Sequence, residues 1–520
     1  PAPMNSTLAR RAFLAAACTV CCLLLEPGAV PRSAGERLHL VILHTNDLHG
    51  QVVPRPATWL AREDPPLTGG LPRVAATIRA TRSQVEREGG AVLVLDAGDW
   101  FQGTPEGGLD QGRPFLEALA AVGYDALCVG NHEFDRGLEV LRGHLEATGL
   151  PALLANASTE PERYTSLAGT RPTLRFRRAG LEILVIGLLT PATPSIAPPA
   201  RALRFEEPAL ALARTMRGAQ EPADLVIALT HLGFEEDREL ATRAPWLELI
   251  VGGHSHTFLE AGEQVGDTLV VQAGSKASAV GRVDLWFDAR THELVERRAR
   301  ILSLDEEATK EARNTVVESA CRRMVERVEE HMGVEVGTLT APLVRSRERW
   351  VSSSAGNWIC DCMRAHTGAD LALHNKGGIR SDVPAGVVTR RALYDLAPFD
   401  NHLVTLSLTG AELEGLLGRM VAAPSHSGLE LSGALLELRR HGERVELVRV
   451  LVGGVPLAAS GRYRLTTNSF LAAGGDGYEA LARITEREEE ALVLRTLLEQ
   501  SLRTAGRVEP ATETRFQWVK

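Results

Sequence analysis

An α/β protein of two domains is what the sequence predicts, on three observations. Short apolar runs alternate with amphipathic helical segments from Leu38 to about Leu302. Acids, amides and histidines stand just past the ends of those runs. A charged segment of helical period, Asp305 to His331, then separates this half from a second one. At 520 residues the chain exceeds one ordinary domain and can bury a substantial core.

In chain order, strands are predicted at Leu38–Leu43, Ala91–Leu95, Ala126–Val129, Leu181–Leu188, Leu225–Leu229, Leu249–Val251, Thr268–Gln272 and Val283–Phe287. They are apolar throughout rather than alternating, the mark of a sheet covered on both faces. Leu71 to Glu88 and Phe115 to Val122 have the spacing of amphipathic helices between them. The first domain is therefore set at 36–304, a linker helix at 305–332 and the second domain at 333–520. The second domain offers a helix near Asn357 to His366, strands at Leu403–Leu408 and Leu435–Leu438, and a Gly-rich turn at Gly474-Gly475-Asp476-Gly477.

The N-terminus reads Arg10-Arg11-Ala12-Phe13-Leu14, stays apolar to Leu25 and breaks at Glu26-Pro27-Gly28. Ala12 to Leu25 is too short to span a bilayer and suits the apolar core of a signal peptide. Paired arginines before Phe-Leu resemble a twin-arginine export signal. Residues 1–35 are thus expected to be a signal peptide and spacer, placing the protein in the periplasm or on the cell surface. Cys18 after Ala15-Ala16-Ala17 leaves a lipid anchor open. No later stretch has the length and apolarity of a membrane span.

Charged residues make up 24% of the chain and apolar ones 44%, as in a soluble globular protein. A net charge of −9 argues against a nucleic-acid polymer or an anionic membrane as partner, though not against a small phosphate ester. Of seven cysteines, three lie in the N-terminal apolar run. Cys128, Cys321, Cys360 and Cys362 have neither metal nor redox spacing and read as small buried apolar residues.

The chemistry lies at the strand ends. Val41-Ile42-Leu43 leads to Asp47-Leu48-His49, Ala91 to Leu95 leads to Asp96-Ala97-Gly98-Asp99, and Asp125 to Val129 leads to Gly130-Asn131-His132-Glu133-Phe134-Asp135. Leu225 to Leu229 leads to His231, and Leu249 to Val251 leads to Gly252-Gly253-His254-Ser255-His256. Asp-x-His or Gly-Asp alone is weak evidence. Five such stretches, each delivering carboxylate, amide or imidazole donors from a strand end, make one polynuclear metal site the natural reading.

The ordered set Asp47-x-His49, Gly98-Asp99, Gly130-Asn131-His132-Glu133, His231 and Gly252-Gly253-His254-Ser255-His256 resembles the calcineurin-like metallophosphoesterases. Within them, Asn46-Asp47-Leu48-His49-Gly50 and Gly130 to Asp135 look like the 5′-nucleotidase family, which includes UDP-sugar hydrolases. The resemblance implies an N-terminal four-layer β-sandwich flanked by helices and a C-terminal α+β substrate-binding domain. It implies two divalent ions, with zinc, manganese or iron suited to such donors. Asp47, His49, Asp99 and His256 would hold the first; Asp99 as bridge, Asn131, His231 and His254 the second. His132 and Asp135 would form the catalytic pair beside Asn131.

In the second domain Asn375-Lys376-Gly377-Gly378-Ile379-Arg380 resembles the family's Asn-x-Gly-Gly-x-Arg segment, with Arg380 on phosphate. Phe399 and Phe470 match the aromatics that sandwich the base. Asp476 is the expected partner of the ribose hydroxyls, and Arg349 of phosphate. Arg349 is followed by Trp350-Val351-Ser352 where the family often carries a Glu at the third place.

The function implied is an exported 5′-nucleotidase acting on nucleoside 5′-phosphates, with nucleoside di- and triphosphates or UDP-sugars as further substrates. A monomer or homodimer is expected. The rivals are a 2′,3′-cyclic-nucleotide phosphodiesterase with 3′-nucleotidase activity, a thiosulfohydrolase-like relative, and an inactive binding protein on the same scaffold.

Overall fold

The computed structural model describes residues 36–56, 67–159, 167, 169–219, 221–304, 313–422, 428–442 and 444–519. The signal segment expected at 1–35 and the first part of the expected linker, 305–312, lie outside these residues.

The first domain contains twelve strands that form two sheets: β1 (Arg37–Thr45), β2 (Ala91–Asp96), β3 (Ala126–Cys128), β4 (Ala152–Leu153), β5 (Thr173–Arg178), β6 (Leu181–Leu189), β7 (Leu225–His231), β8 (Leu249–Val251), β9 (Glu263–Val265), β10 (Thr268–Val271), β11 (Val280–Asp288) and β12 (Leu294–Leu302). One sheet has the order β12-β11-β1-β2-β3-β4, the other β9-β10-β8-β7-β6-β5. The sheets pack face to face. Leu40 and Ile42 of β1 and Leu93 and Leu95 of β2 meet Ile183, Val185, Ile227 and Leu229 of the other sheet in one core. The alternate residues Val41, Leu43, Val92 and Val94 turn outward and are covered by the helices α1 (Leu71–Arg87), α2 (Arg113–Ala120) and α3 (Leu138–Thr148). On the far side Leu184, Ile186, Val226 and Ala228 are covered by α4 (Pro208–Gly218) and α5 (Phe234–Arg243). Each central strand thus fills two cores with its two faces, which is why β1, β2, β6 and β7 are apolar throughout. The result is the four-layer arrangement the resemblance implied.

The segment expected to link the domains forms α6 (Thr315–Met332), capped by the Asn314 side chain, which accepts from Val317 N. Its buried residues Val317, Cys321 and Met324 belong to the same core as α1 and α2. The helix is therefore a layer of the first domain, and the chain leaves it at Gly333.

In the second domain a five-stranded sheet runs in the order Leu429–Ser432, Leu371–Asn375, Arg462–Asn468, His402–Thr409, Arg487–Val493. One face packs with Leu413, Leu416 and Met420 of the helix Gly410–Ala422, the other with Ile359 and Met363 of the helix Ser354–Thr367 and Leu498 of Leu494–Ala505. The two domains touch beside the strand ends. Arg391 pairs with Glu106, Arg136 Nη1 with Asp400 at 2.7 Å, and the Tyr394 hydroxyl donates to Thr104 O at 3.1 Å. Cys128, Cys321, Cys360 and Cys362 are free thiols, the first three buried, as expected of small apolar residues. Among the described residues no helix is long and apolar enough to cross a membrane.

Candidate metal centre and domain cleft

Parallel pairing of β1 with β2 and of β2 with β3 sets Thr45 opposite Asp96 and Asp96 opposite Leu127, so the three following loops leave one sheet edge together. In the facing sheet Leu229 pairs with Val251, which brings His231 and the His254–His256 loop to the same edge. Backbone bonds then join the loops: Asp47 N to Gly98 O at 2.9 Å and His49 N to Asp99 O at 3.0 Å. The glycines beside the donors allow this approach. A Cβ on Gly130 would lie 2.3 Å from Asp99 Oδ1, and one on Gly253 would lie 2.7 Å from Ala97 O.

Three overlapping donor groups result: Asp47, His49 and His256; His49, Asp99 and His132; Asp99, His231 and His254. In each, the ligand atoms lie within 4.8 Å of one another. His49 Nδ1 is 2.8 Å from Gln102 O, and His231 Nδ1 is 2.6 Å from Ala97 O. A carbonyl can only accept, so both rings carry a proton on Nδ1 and turn Nε2 toward the cluster. His49 Nε2 lies 2.9 Å from His256 Nε2, and His231 Nε2 lies 3.2 Å from Asp99 Oδ2. Asn131 Oδ1 is buried without a hydrogen-bond partner among the described residues. Ligand atoms converging on shared points, with an unused amide oxygen beside them, are a donor set built for cations. The residues fit the divalent ions the family implies.

The electrostatics agree. Burial pushes His49 down to about 3, and burial together with His231 pushes His254 down to about 4, so both rings are neutral ligands. Burial opposes charge on Asp99 and His231 alike, yet their mutual attraction holds the carboxylate well below its usual range and lifts the imidazole to about 10. A proton serves there in the place where an ion would.

His132 projects toward this cluster, its Nε2 4.0 Å from Asp99 Oδ2, while its Nδ1 is 2.7 Å from Asp135 Oδ2. Burial lowers its pKa, but Asp135 and then Asp99 raise it to about 9. From the second domain Phe399 lies parallel to the His132 ring, centroids 6.0 Å apart and planes 14° apart. The Arg380 guanidinium sits 5.8 Å from the centre of the Phe399 ring. Behind them Asn375 Nδ2 donates to Asp476 Oδ2 at 2.8 Å, and Asn468 Nδ2 to Asn375 Oδ1 at 3.1 Å. Arg349 stacks its guanidinium 5.0 Å from the Trp350 ring centre. Phe470 covers Gly475, where a Cβ would lie 2.5 Å from the ring. Phe399 and Phe470 thus lie on separate neighbours, His132 and Gly475.

Residues 40–258 match the family model for calcineurin-like phosphoesterases, and residues 335–483 match that for the 5′-nucleotidase C-terminal domain. The chain belongs to the 5′-nucleotidase family. It is similar to the 5′-nucleotidase of Vibrio vulnificus, 29% identical over 498 residues that cover 85% of this chain and 86% of the relative. Against the trifunctional nucleotide phosphoesterase protein YfkN of Bacillus subtilis it is 29% identical over 92% of its own length, but it spans only 35% of that longer relative. The solved structure of a 5′-nucleotidase precursor from Thermus thermophilus superposes with a TM-score of 0.79 at 28% identity, covering 93% of this chain and all of the other. Membership makes the protein a metal-dependent phosphoric ester hydrolase.

Within this 5′-nucleotidase architecture two residues lacked an assignment from sequence. Glu133 is buried and accepts from Asp99 N, Trp100 N and Gly130 N at 3.0, 2.8 and 2.8 Å, tying two donor loops together. Asp96 accepts from Thr45 Oγ1 at 2.6 Å and Gly98 N at 2.9 Å and so fixes the turn ahead of Asp99. Both lie inside motifs already singled out, but a carboxylate that binds backbone N–H groups looks, in sequence, like one that binds metal.

Proposed function

We propose that the protein is an exported 5′-nucleotidase that hydrolyses nucleoside 5′-monophosphates with two divalent ions, and nucleoside di- and triphosphates or UDP-sugars as further substrates. The observation that carries the reading is the meeting of Phe399 and Arg380 of the second domain with His132 at the donor cluster of the first. A phosphate at that cluster would have a guanidinium and an aromatic face next to it, as a nucleotide requires.

In this reading Asp47, His49, Asp99 and His256 hold one ion, and Asp99, Asn131, His231 and His254 the other. Ions bound there supply Lewis acidity, lowering the pKa of water and neutralising phosphoryl charge. Asp135 fixes the His132 ring and its charge through Nδ1, leaving Nε2–H to donate to a phosphoryl oxygen as negative charge builds during in-line displacement. Arg380 and Arg349 bind phosphate oxygens, Phe399 and Phe470 take the base between them, and Asp476 with Asn375 receives the ribose hydroxyls. Because the substrate touches both domains, turnover involves their relative rotation. Because α6 packs into the first domain, this reading takes Gly333, where the chain leaves the helix, as the pivot. Export would proceed through residues 1–35.

Phosphate release from AMP, 3′-AMP, 2′,3′-cyclic AMP and UDP-glucose tests the reading, the last with a phosphomonoesterase to expose UMP. Chelator-sensitive release fastest from AMP, lost in His132→Ala, is expected. Release confined to the cyclic or 3′ substrates would refute it in favour of the phosphodiesterase.

A further inference from the structure

A cavity of about 290 Å³ lies between the domains. His49 and His132 of the donor cluster line it, and so do Lys276, Arg55 and Arg380. Phe399 lines it as well, whereas Phe470, Asn375 and Asp476 do not, so it adjoins the space proposed for base and ribose and extends beyond it toward Lys276 and Arg55. We propose that Lys276 and Arg55, with Arg380, form a second oxyanion subsite that takes a phosphoryl-sized anion next to the phosphate under attack.

The balance of charge supports an anion. Of the two carboxylates in the wall, Glu106 is already committed to Arg391, which leaves Asp395 alone against three cationic side chains. The Lys276 ammonium and the Arg55 guanidinium form no hydrogen bond or ion pair with the described residues. Half-buried Lys276 and exposed Arg55 at the cavity rim are electrostatically coupled to each other and to Arg380. Such a group of cations repels itself until an anion enters.

The backbone adds an independent sign. Lys276 has φ 56°, in the left-handed region, and its N–H donates to Asp47 O at 2.6 Å. Lysine gains nothing from this conformation, which costs about 1–2 kcal/mol. The loop therefore holds the ammonium beside the donor cluster against a local preference, as expected of a binding residue.

The anion has two sources with one chemistry: the second phosphoryl group of a nucleoside diphosphate, or the orthophosphate released by the reaction. This deepens the nucleotidase reading and rests on it for the first source only. The test uses manganese-loaded full-length protein, comparing wild type with Lys276→Met, which keeps the aliphatic stem, and Lys276→Arg, which keeps the charge. Calorimetric titration with orthophosphate reads the site directly, while inhibition by orthophosphate and kcat/KM for AMP and ADP read its use.

In Lys276→Met the affinity of one of two orthophosphate sites is expected to fall about tenfold, with Lys276→Arg restoring it. A parallel loss of kcat/KM for ADP but not AMP identifies the substrate's phosphoryl group as the occupant. Weaker orthophosphate inhibition with both kcat/KM values unchanged identifies the product. Identical titrations in wild type and Lys276→Met, or equal losses for AMP and ADP with orthophosphate binding unaltered, overturn the proposal. Two orthophosphate sites in a wild type that hydrolyses neither nucleotide would sink the nucleotidase reading and leave the subsite standing.

Discussion

Replacing Asp135 by Asn removes a charge from His132 while keeping an oxygen within reach of Nδ1. The pair is 2.7 Å apart, and each side chain is 19% exposed, so water screens the interaction only in part. A hydrogen bond to a charged partner contributes about 1.5–3 kcal/mol and a neutral one about 0.5–1.5 kcal/mol. Asn would keep the weaker bond and lose the difference of about 1–1.5 kcal/mol, roughly a tenfold fall in kcat. Asp135→Ala would lose the whole bond and fall roughly a hundredfold. Because the pair acts as charge develops on phosphorus, KM for AMP should stay within about twofold. Steady-state phosphate release at saturating manganese measures both constants, and metal analysis of the same samples checks that the ions remain. A tenfold rise in KM at unchanged kcat would mean that Asp135 positions substrate and not the imidazole. Wild-type kcat in both variants would remove His132 from the reaction.

The donor set predicts that chelation leaves the buried carboxylates of Asp47 and Asp99 with protonated imidazoles in place of divalent charge. The melting temperature should therefore fall in EDTA and recover with manganese, whereas His231→Ala should bind less metal and show a smaller EDTA shift; equal shifts would contradict the assigned ligand. Two buried histidines outside the centre predict acid sensitivity: burial depresses His44 to about 3 and His374 to about 4. Both bind protons more readily unfolded, at about 6.5, so each subtracts stability as pH falls below 6.5, by roughly 2 kcal/mol at pH 5. His44→Leu should flatten the pH dependence of urea unfolding between pH 7.5 and 5, and an unchanged slope would refute the assignment. In the second domain Glu430, fully buried, accepts from Ser353 Oγ at 2.6 Å and pairs with buried Lys376, which also donates to Val351 O at 2.8 Å. Glu430→Gln strands the ammonium and should destabilise by about 3 kcal/mol, with a matching shift in the denaturant midpoint; no shift would show the pair to be dispensable.

The donors were legible because each follows a short apolar run with its glycine beside it, a local pattern that Asp47-Leu48-His49 and Gly252 to His256 carry in full. The division of the strands between two sheets was not. Val41 and Ile42 are equally apolar whether they face a helix or a second sheet, so the pattern reports burial without naming what covers it. Strands β5 (Thr173–Arg178) and β12 (Leu294–Leu302) escaped for the opposite reason: each is an edge strand whose arginines break the apolar run. The cationic wall is less legible still. Arg55, Lys276 and Arg380 share no motif and are gathered only by the folding of two domains upon each other. In the segment 305–332 charge alone does not tell a connecting helix from a surface helix of the first domain: the exposed face of α6 supplies the charged residues while Val317, Cys321 and Met324 are spaced to dock.

Backbone conformation shows how the donor cluster is held together. Asp47, His49, Asp99, His254 and His256 all have positive φ, at 51°, 49°, 59°, 78° and 57°. Residues with a Cβ enter this region at a cost of about 1–2 kcal/mol each, so five together would unravel a loop held only by its own contacts. They persist because the loops are fastened to the sheets and to one another: Asp47 and His49 bond to the loop after β2, and Glu133 binds the N–H groups of Asp99, Trp100 and Gly130. The stability of the two-sheet core thus underwrites strain at the edge where the sheets meet. An ion entering such a site does not have to order its ligands, so its binding free energy is not spent on loop entropy. The same reasoning separates Glu133 from the ligands around it. Removing a ligand should weaken one ion, but removing Glu133 releases the restraint on Asp99 and Asn131 together, and both donor groups that share Asp99 should loosen at once.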